Sequence, residues 1–123
     1  MSQQNNVVSI HPYFKVHAGK MDTFKALLPQ FVARTAKEDR CLCYDFTISD
    51  DVIFCRESYI GAEATLAHIT NVGDLLDEAQ KISDLLRLEF HGPAAELEKL
   101  KPAMSALNPT WFAFECGVVK PTP

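Results

Sequence analysis

The sequence has no excess of positive charge and no long apolar run, and these absences exclude several classes of function. Its 12 basic and 16 acidic residues give a net charge of −4 at pH 7, and the basic residues are scattered. Such a chain has no electrostatic attraction to nucleic acid or to anionic lipid. No apolar run approaches the length of a membrane span, and the polar N-terminus lacks the pattern of a signal peptide. We therefore expect a cytoplasmic protein that binds neither nucleic acid nor membranes.

The sequence also lacks the C-x-x-C spacing that zinc sites and dithiol redox sites use. Its four cysteines stand at positions 41, 43, 55 and 116. Cys41 and Cys43 fall on one face of a predicted strand, about 7 Å apart, which is too far for an undistorted disulfide. We expect reduced, partly buried thiols and no metal site, in agreement with a cytoplasmic location.

The length and composition of the chain indicate a single hydrophobic core. Its 123 residues, of which 47% are hydrophobic, lie in the size range of one globular domain, and no low-complexity linker divides them. We expect one domain over residues 1–123, with a core at about 7–91 and an extension at 92–116. The tail at 120–123 is expected to be disordered.

The periodicity of apolar residues predicts the order of helices and strands. Alternation, as in Val8 and Ile10 on one face of the first segment, indicates strands. Spacing of three and four residues, as in Phe24, Leu27 and Phe31, indicates helices. The predicted strands are 7–16, 41–48, 52–59, 86–91 and 110–116, and the predicted helices are about 20–38, one from 61, one from 72 and one after Pro93.

Local signals predict how three of these helices bend, begin or end. Pro29 is expected to kink the first helix rather than divide it, because proline removes an amide hydrogen and crowds the preceding turn. Asn71, three residues before Asp74, is expected to cap the helix that follows it. Pro102 is expected to weaken or end the last helix.

The two central strands are expected to form a hairpin around Asp50 and Asp51. A loop centred on these residues fixes the register of every cross-strand pair. The expected pairs are Tyr44 with Glu57, Phe46 with Cys55, Leu42 with Tyr59, and Asp45 with Arg56. The last of these pairs is expected to be a structural ion pair.

The order strand, helix, strand, strand, helix, strand is that of ferredoxin-like α+β domains, with an antiparallel sheet and here an additional helix and strand. Helices cover one face of such a sheet. Both faces of the hairpin nevertheless carry large apolar residues, Phe46 and Tyr59 on one and Val52 and Phe54 on the other. We therefore expect an obligate homodimer that buries two sheets against each other, with a cavity between sheet and helices.

The stretch that says most about function joins the third strand to the helix after it. Glu57 and Tyr59 alternate along the strand, and His68 follows nine residues later on the helix. A carboxylate, a phenol and an imidazole beside an apolar sheet are typical of a pocket for a small molecule.

These residues resemble the antibiotic biosynthesis monooxygenase family. The run Val16-His17-Ala18-Gly19-Lys20 is similar to the family's Val-x-Pro-Gly-x before the first helix. Glu57-Ser58-Tyr59 with His68 is similar to its Glu-x-Trp and helical histidine, with tyrosine in place of the usual tryptophan. The similarity covers about residues 7–91. It implies a dimeric α+β barrel that oxygenates a small phenolic or quinol-like compound without metal or flavin.

Under this interpretation each site residue has an expected role. His68 is the expected base, because an ordinary imidazole pKa of about 6.5 leaves it mostly neutral at pH 7. Glu57 is expected to orient His68 or to accept a substrate hydroxyl. The expected substrate-binding residues are Tyr59, Tyr44, Phe46, His11 and Tyr13. The face of the first strand that meets the cavity is left open.

Other functions fit the same residues. The barrel of a noncatalytic homodimer would hold or protect a small apolar metabolite, and a heme-degrading activity would use the same cavity. Trp111 and Phe112, in the extension, would serve an interface in a partner-binding protein. The residues alone leave the substrate and catalysis itself open.

Overall fold

The computed structural model describes residues 6–118 and 120 and contains one five-stranded sheet with helices packed on one face. The strands are β1 (Val7–Val16), β2 (Cys41–Ser49), β3 (Val52–Ile60), β4 (Ser83–Gly92) and β5 (Thr110–Ala113). The helices are α1 (Met21–Thr35), α2 (Gly61–Asn71), α3 (Gly73–Lys81) and α4 (Ala94–Met104), followed by a 3₁₀ turn at Ser105–Leu107. The strand order is β2-β3-β1-β4-β5, and only β5 pairs in parallel. The predicted ferredoxin-like α+β fold is confirmed.

Alternation in β1 decides which face of the sheet the helices cover. Val8, Ile10, Phe14 and Val16 are all buried on that face. They divide between two apolar clusters, one shared with α2 and α4 and the other with α1 and α3. The hydrophobic effect therefore fixes both the face of β1 and the side on which all four helices pack.

The hairpin of β2 and β3 has the predicted register along most of its length. Tyr44 pairs with Glu57, and Asp45 pairs with Arg56 through an ion pair of 2.9 Å. The predicted pairing of Leu42 with Tyr59 is wrong. The ladder shifts between Cys41 and Cys43, so that Cys41 pairs with Tyr59 and Leu42 is the extra residue of a bulge.

The junction between α2 and α3 differs from the expectation. The predicted cap at Asn71 is wrong, because α3 begins after Val72 without a side-chain cap. Asn71 Nδ2 instead donates to the carboxylate of Glu38 at 2.8 Å and to the backbone carbonyl of Arg34. Within α2, Thr65 and His68 are buried, whereas Leu66 and Ile69 are only partly buried.

The extension after β4 adds α4 and β5 to the sheet. Leu97, Leu100 and Met104 of α4 are buried, and the ring of Trp111 stacks on Phe90 with centroids 4.9 Å apart. Pro102 lies inside α4, which ends two residues later. β5 ends at Ala113 and does not reach 116.

Beyond the extension, the disorder predicted for the tail falls on residues 121–123, which lie outside the described range, and on Lys120. None of the helices in residues 6–118 combines the length and apolar character that a membrane crossing requires.

Candidate active site

Three predicted site residues lie together beneath the helices. Glu57 and Tyr59 point to the covered face of β3, with 5% and 0% of their surfaces exposed. His68 points down from the third turn of α2, opposite them, and is also buried. Burial of two ionisable groups and a phenol in an apolar core is costly unless they satisfy one another.

Two hydrogen bonds and one close contact link these side chains across the core. The Tyr59 hydroxyl donates to Glu57 Oε1 at 2.6 Å. The Nε2 atom of His68 lies 3.4 Å from the same carboxyl oxygen. On the far side of the ring, His68 Nδ1 lies 2.9 Å from Glu38 Oε2. The imidazole is therefore held between two carboxyl groups.

This arrangement favours one tautomer of the imidazole. A carboxylate oxygen accepts hydrogen bonds and does not donate them, so Nδ1 carries the proton that it donates to Glu38. The Nε2 atom is then unprotonated and faces Glu57. His68 consequently presents a proton acceptor to the interior of the fold.

The pKa shifts of the buried groups place a proton donor, Glu57, beside the proton acceptor His68. Burial raises the pKa of Glu57 from 4.5 to about 7, against the opposing hydrogen bonds from Tyr59 and Cys55. Burial lowers the pKa of His68, while the carboxylate of Glu38 opposes that shift. Near pH 7 the site therefore holds a carboxyl group that is partly protonated and an imidazole that is mostly neutral.

A cavity of about 100 Å³ opens onto this pair. Its buried end contains Glu57, His68 and Cys55, and the residues at its mouth that are exposed to solvent are Gln80 and Leu107. Most of its wall is apolar and aromatic, contributed by Ile10, Phe14, Phe24, Phe31, Phe46, Leu85, Leu88, Phe90 and Met104. A polar end beneath an apolar wall is the usual arrangement of a small-molecule site.

Tyr44 and Phe46 lie in the cavity wall, where the substrate-binding interpretation requires them. The ring of Tyr44 meets His68 edge-on, with centroids 5.0 Å apart, and burial raises the pKa of its phenol, which stays protonated. Tyr59 is placed differently. It supports Glu57 from behind and does not reach the cavity surface.

His11 and Tyr13 are not brought to the site. They lie on the opposite, open face of the sheet, where His11 packs against His91 with centroids 4.7 Å apart and Tyr13 packs against Phe54 at 4.7 Å. Alternation in β1 separates them from Ile10 and Pro12, which line the cavity. The open question of which face of β1 meets the cavity is thereby answered.

Sequence reasoning missed Glu38 and Asn71. Glu38 belongs to the loop after α1, and no periodicity marks it as a site residue. Asn71 lies three positions after His68 on α2, but its side chain contacts Glu38 and not the ring. Spacing alone cannot show that Glu38 meets His68, because the two residues are 30 positions apart in the chain. Within residues 6–118 and 120, no group of three or more His, Cys, Asp or Glu side chains is arranged to hold a metal ion.

Comparison with solved structures places this fold among known folds. No family model matches the sequence, and no curated protein is significantly similar to it. MupZ from Pseudomonas fluorescens superimposes with a TM-score of 0.90 and 32% identity, over 98% of this chain and 94% of MupZ. Candidate antibiotic biosynthesis monooxygenases from Chloroflexus aurantiacus J-10-fl and Caulobacter crescentus CB15 superimpose with TM-scores of 0.60 and 0.63, at 17% and 19% identity. Each match covers 72% of this chain, and 93% and 90% of theirs.

The fold is that of the antibiotic biosynthesis monooxygenases, and the resemblance found in the sequence is confirmed. The chain belongs to the same family as MupZ and shares its fold with the candidate antibiotic biosynthesis monooxygenases. The match to MupZ covers 98% of this chain and so has to include most of the extension after β4.

Proposed function

We propose that this chain is an enzyme that removes a proton from a small phenolic or enolic substrate and so activates it for reaction with dioxygen. The observation that supports this most strongly is the 3.4 Å approach of His68 Nε2 to Glu57 at the buried end of an aromatic cavity. A hydroxyl placed there would meet a base, an acid and no bulk water. The aromatic wall favours a flat ring.

The oxidation needs dioxygen as its only co-reactant. Once deprotonated, an electron-rich ring passes one electron to dioxygen, and the resulting substrate radical and superoxide combine into a peroxide. Protonation and loss of water then convert a CH₂ group and O₂ into a C=O group and H₂O. The chain contributes the base, the proton donor and the exclusion of water.

The volume of the cavity constrains the substrate. A space of about 100 Å³ is below the range of roughly 300 Å³ or more that drug-sized ligands occupy. A substrate with one ring in the cavity would therefore extend through the mouth between Gln80 and Leu107. We expect a small aromatic head to bind beside His68 and the remainder to bind outside.

Oxygen consumption tests the proposal directly. Dihydroquinones and anthrone-type phenols are supplied without added flavin or metal, and uptake of dioxygen is followed with an electrode. Replacement of the base, His68→Ala, is expected to lower the rate by about tenfold or more. The matched control is His17→Ala, an exposed histidine paired with Asp84 far from the cavity. Equal rates in the wild type and in His68→Ala would rule out His68 as the base.

A second candidate function is proton transfer without dioxygen. It is favoured by the simultaneous presence of a partly protonated Glu57 and a neutral His68, which suits addition, elimination, isomerisation or hydrolysis. Turnover that persists under anaerobic conditions and is lost in Glu57→Gln would support this candidate over oxygenation. A ligand that is retained in native mass spectrometry and survives air unchanged would instead indicate a noncatalytic binding protein.

The open face of the sheet supports a homodimer as a further part of the proposal. Aromatic rings cross this face from β3 to β5, with Phe54 packed on Tyr13, His11 against His91, and Phe112 stacked on His91 at 4.5 Å. Phe112 is 38% exposed. A second copy would cover this row.

Sedimentation is expected to show a dimer that Phe54→Glu converts to a monomer, while Glu63→Lys on α2 leaves it intact. A wild type that stays monomeric at all concentrations would overturn the dimer. The cavity lies within one chain, so the acid–base chemistry does not depend on this result.

A further inference from the structure

A second depression lies on the far side of His68 from the cavity. This groove of about 220 Å³ is lined by the end of α1, the loop after it and the start of β2, with the residues Val32, Thr35, Ala36, Glu38, Cys41, Leu42, Cys43 and Tyr44. Glu38 is the carboxylate of the groove. Its side chain is 16% exposed, compared with 6% for Glu57.

The two carboxyl groups that flank His68 therefore have different surroundings. Glu38 reaches the groove and keeps some contact with water, which lowers the cost of carrying a charge. Glu57 lies at the closed end of the apolar cavity. One side of the imidazole thus faces a hydrated carboxylate and the other faces the space where a substrate would bind.

Glu38 is itself held in place by a neighbour. Its Oε2 atom accepts hydrogen bonds from His68 Nδ1 at 2.9 Å and from Asn71 Nδ2 at 2.8 Å. Asn71 also donates to the carbonyl of Arg34 at 3.2 Å, which ties the end of α2 to the end of α1. A loop carboxylate with two donors has little freedom to leave the imidazole.

We propose that Glu38 is a positioning residue, which keeps the proton of His68 on Nδ1 and stabilises the imidazolium that forms when Nε2 accepts a proton from the substrate. This rests on the proposed function, because it gives His68 the role of base. In other enzymes, a carboxylate behind a catalytic histidine orients the ring and balances its positive charge, and the carboxylate does not take up the proton itself. Asn71 supports Glu38 and does not touch the ring.

The first measurement is made on the folded protein without any substrate. Nitrogen-15 NMR of the His68 ring is expected to show the tautomer protonated at Nδ1 in the wild type. In Glu38→Gln the charge is lost while the shape is kept, so the pKa of His68 is expected to fall and the other tautomer to become populated. Glu63→Gln, which removes an exposed carboxylate from α2, is the matched control and is expected to change neither.

The second measurement is turnover, if the wild type shows it. Glu38→Gln is expected to lower kcat by about tenfold or more with little change in KM. The rise of rate with pH, which reports neutral His68, is expected to move to lower pH. Glu38→Asp is expected to recover part of the rate, because it restores the charge.

The outcomes separate this assignment from the proposed function. The expected NMR changes in a chain without turnover would support the role of Glu38 toward His68 and count against the enzyme. Normal kcat and an unchanged ring in Glu38→Gln would overturn the assignment while the enzyme stands. A wild type protonated at Nε2 would overturn it as well, even if the variants did not fold.

Discussion

Two glutamates of the same sheet have pKa values that are shifted in opposite directions. Glu57 lies on the covered face and Glu89 on the open face, and both expose little surface, 5% and 9%. Burial raises the pKa of Glu57 to about 7. The hydrogen bond from His91 lowers the pKa of Glu89, and Arg87 adds to this effect.

The difference shows that a low exposed fraction alone does not set the chemistry of a carboxyl group. Glu89 is covered by the side chains of Arg87 and His91, which carry or accept positive charge and sit at the surface. Glu57 is covered by helices and aromatic rings, and its polar neighbours are the Tyr59 hydroxyl, the Cys55 thiol and the neutral imidazole of His68. Glu89 on the open face is therefore ionised near pH 7, whereas Glu57 on the covered face gains or loses a proton near that pH.

The largest expected difference between the faces is in packing. Phe90 is 1% exposed beneath α4, so Phe90→Ala is expected to lower the free energy of unfolding by about 3–5 kcal/mol. Phe112→Ala, on the open face, is expected to cost less than half as much in the isolated chain. Urea denaturation of both variants at low protein concentration measures this, and equal losses would show that the open face is as well covered as the other.

The next effect is the pH dependence of stability caused by Glu57. The folded chain holds the proton more tightly than the unfolded chain, because the pKa is raised from 4.5 to about 7. The contribution of Glu57 to the stability of the folded chain is therefore complete below pH 4.5. It decreases as the pH rises to about 7 and does not change further above that pH. Since Gln does not ionise, the stability of Glu57→Gln relative to the wild type is expected to grow by roughly 2.5 kcal/mol between pH 5 and 8. Denaturation curves at both pH values measure it, and a constant difference would contradict the raised pKa.

A smaller effect is expected from the phenol behind Glu57. Tyr59→Phe removes the donor at 2.6 Å from Glu57 Oε1, at a cost of about 1–3 kcal/mol. The loss is expected to be greater at pH 8 than at pH 5, because the hydroxyl favours the carboxylate. Tyr13→Phe on the open face is the control. Equal losses in Tyr59→Phe at pH 5 and pH 8 would indicate that Glu57 stays neutral at pH 8.

The smallest effect, with the opposite sign, is expected from Glu89. Its folded pKa is lowered, so its contribution is present above its ordinary pKa and is lost as the pH falls through the folded value. Glu89→Gln is expected to cost less than about 1 kcal/mol at pH 7 and nothing at strongly acidic pH. Thermal unfolding at both pH values distinguishes this from Glu57→Gln, whose advantage grows toward high pH.

Much of the fold was predictable because the periodicity of β1, β3 and α1 reports burial directly. The pairing of Tyr44 with Glu57 followed from hairpin geometry, and the meeting of Glu57 with His68 followed from a strand that leads straight into a helix. The bulge at Leu42 was not predictable, because an extra residue leaves no mark in hydropathy. The site residue Glu38 was missed for a related reason: it reaches His68 through space from a loop 30 positions away.

The sequence by itself determined the order of strands and helices, the alternation of residues between the two faces of each strand and the closeness of a carboxylate, a phenol and an imidazole, because all of these follow from local periodicity. Only the tertiary structure decided that His11 and Tyr13 lie behind the sheet, that Tyr59 serves Glu57, and that Glu38 sets the tautomer of His68. It also decided that the pKa of Glu57 is raised and that of Glu89 is lowered. The physical reason is that a pKa depends on what surrounds a group in space, and spacing along the chain does not contain that information.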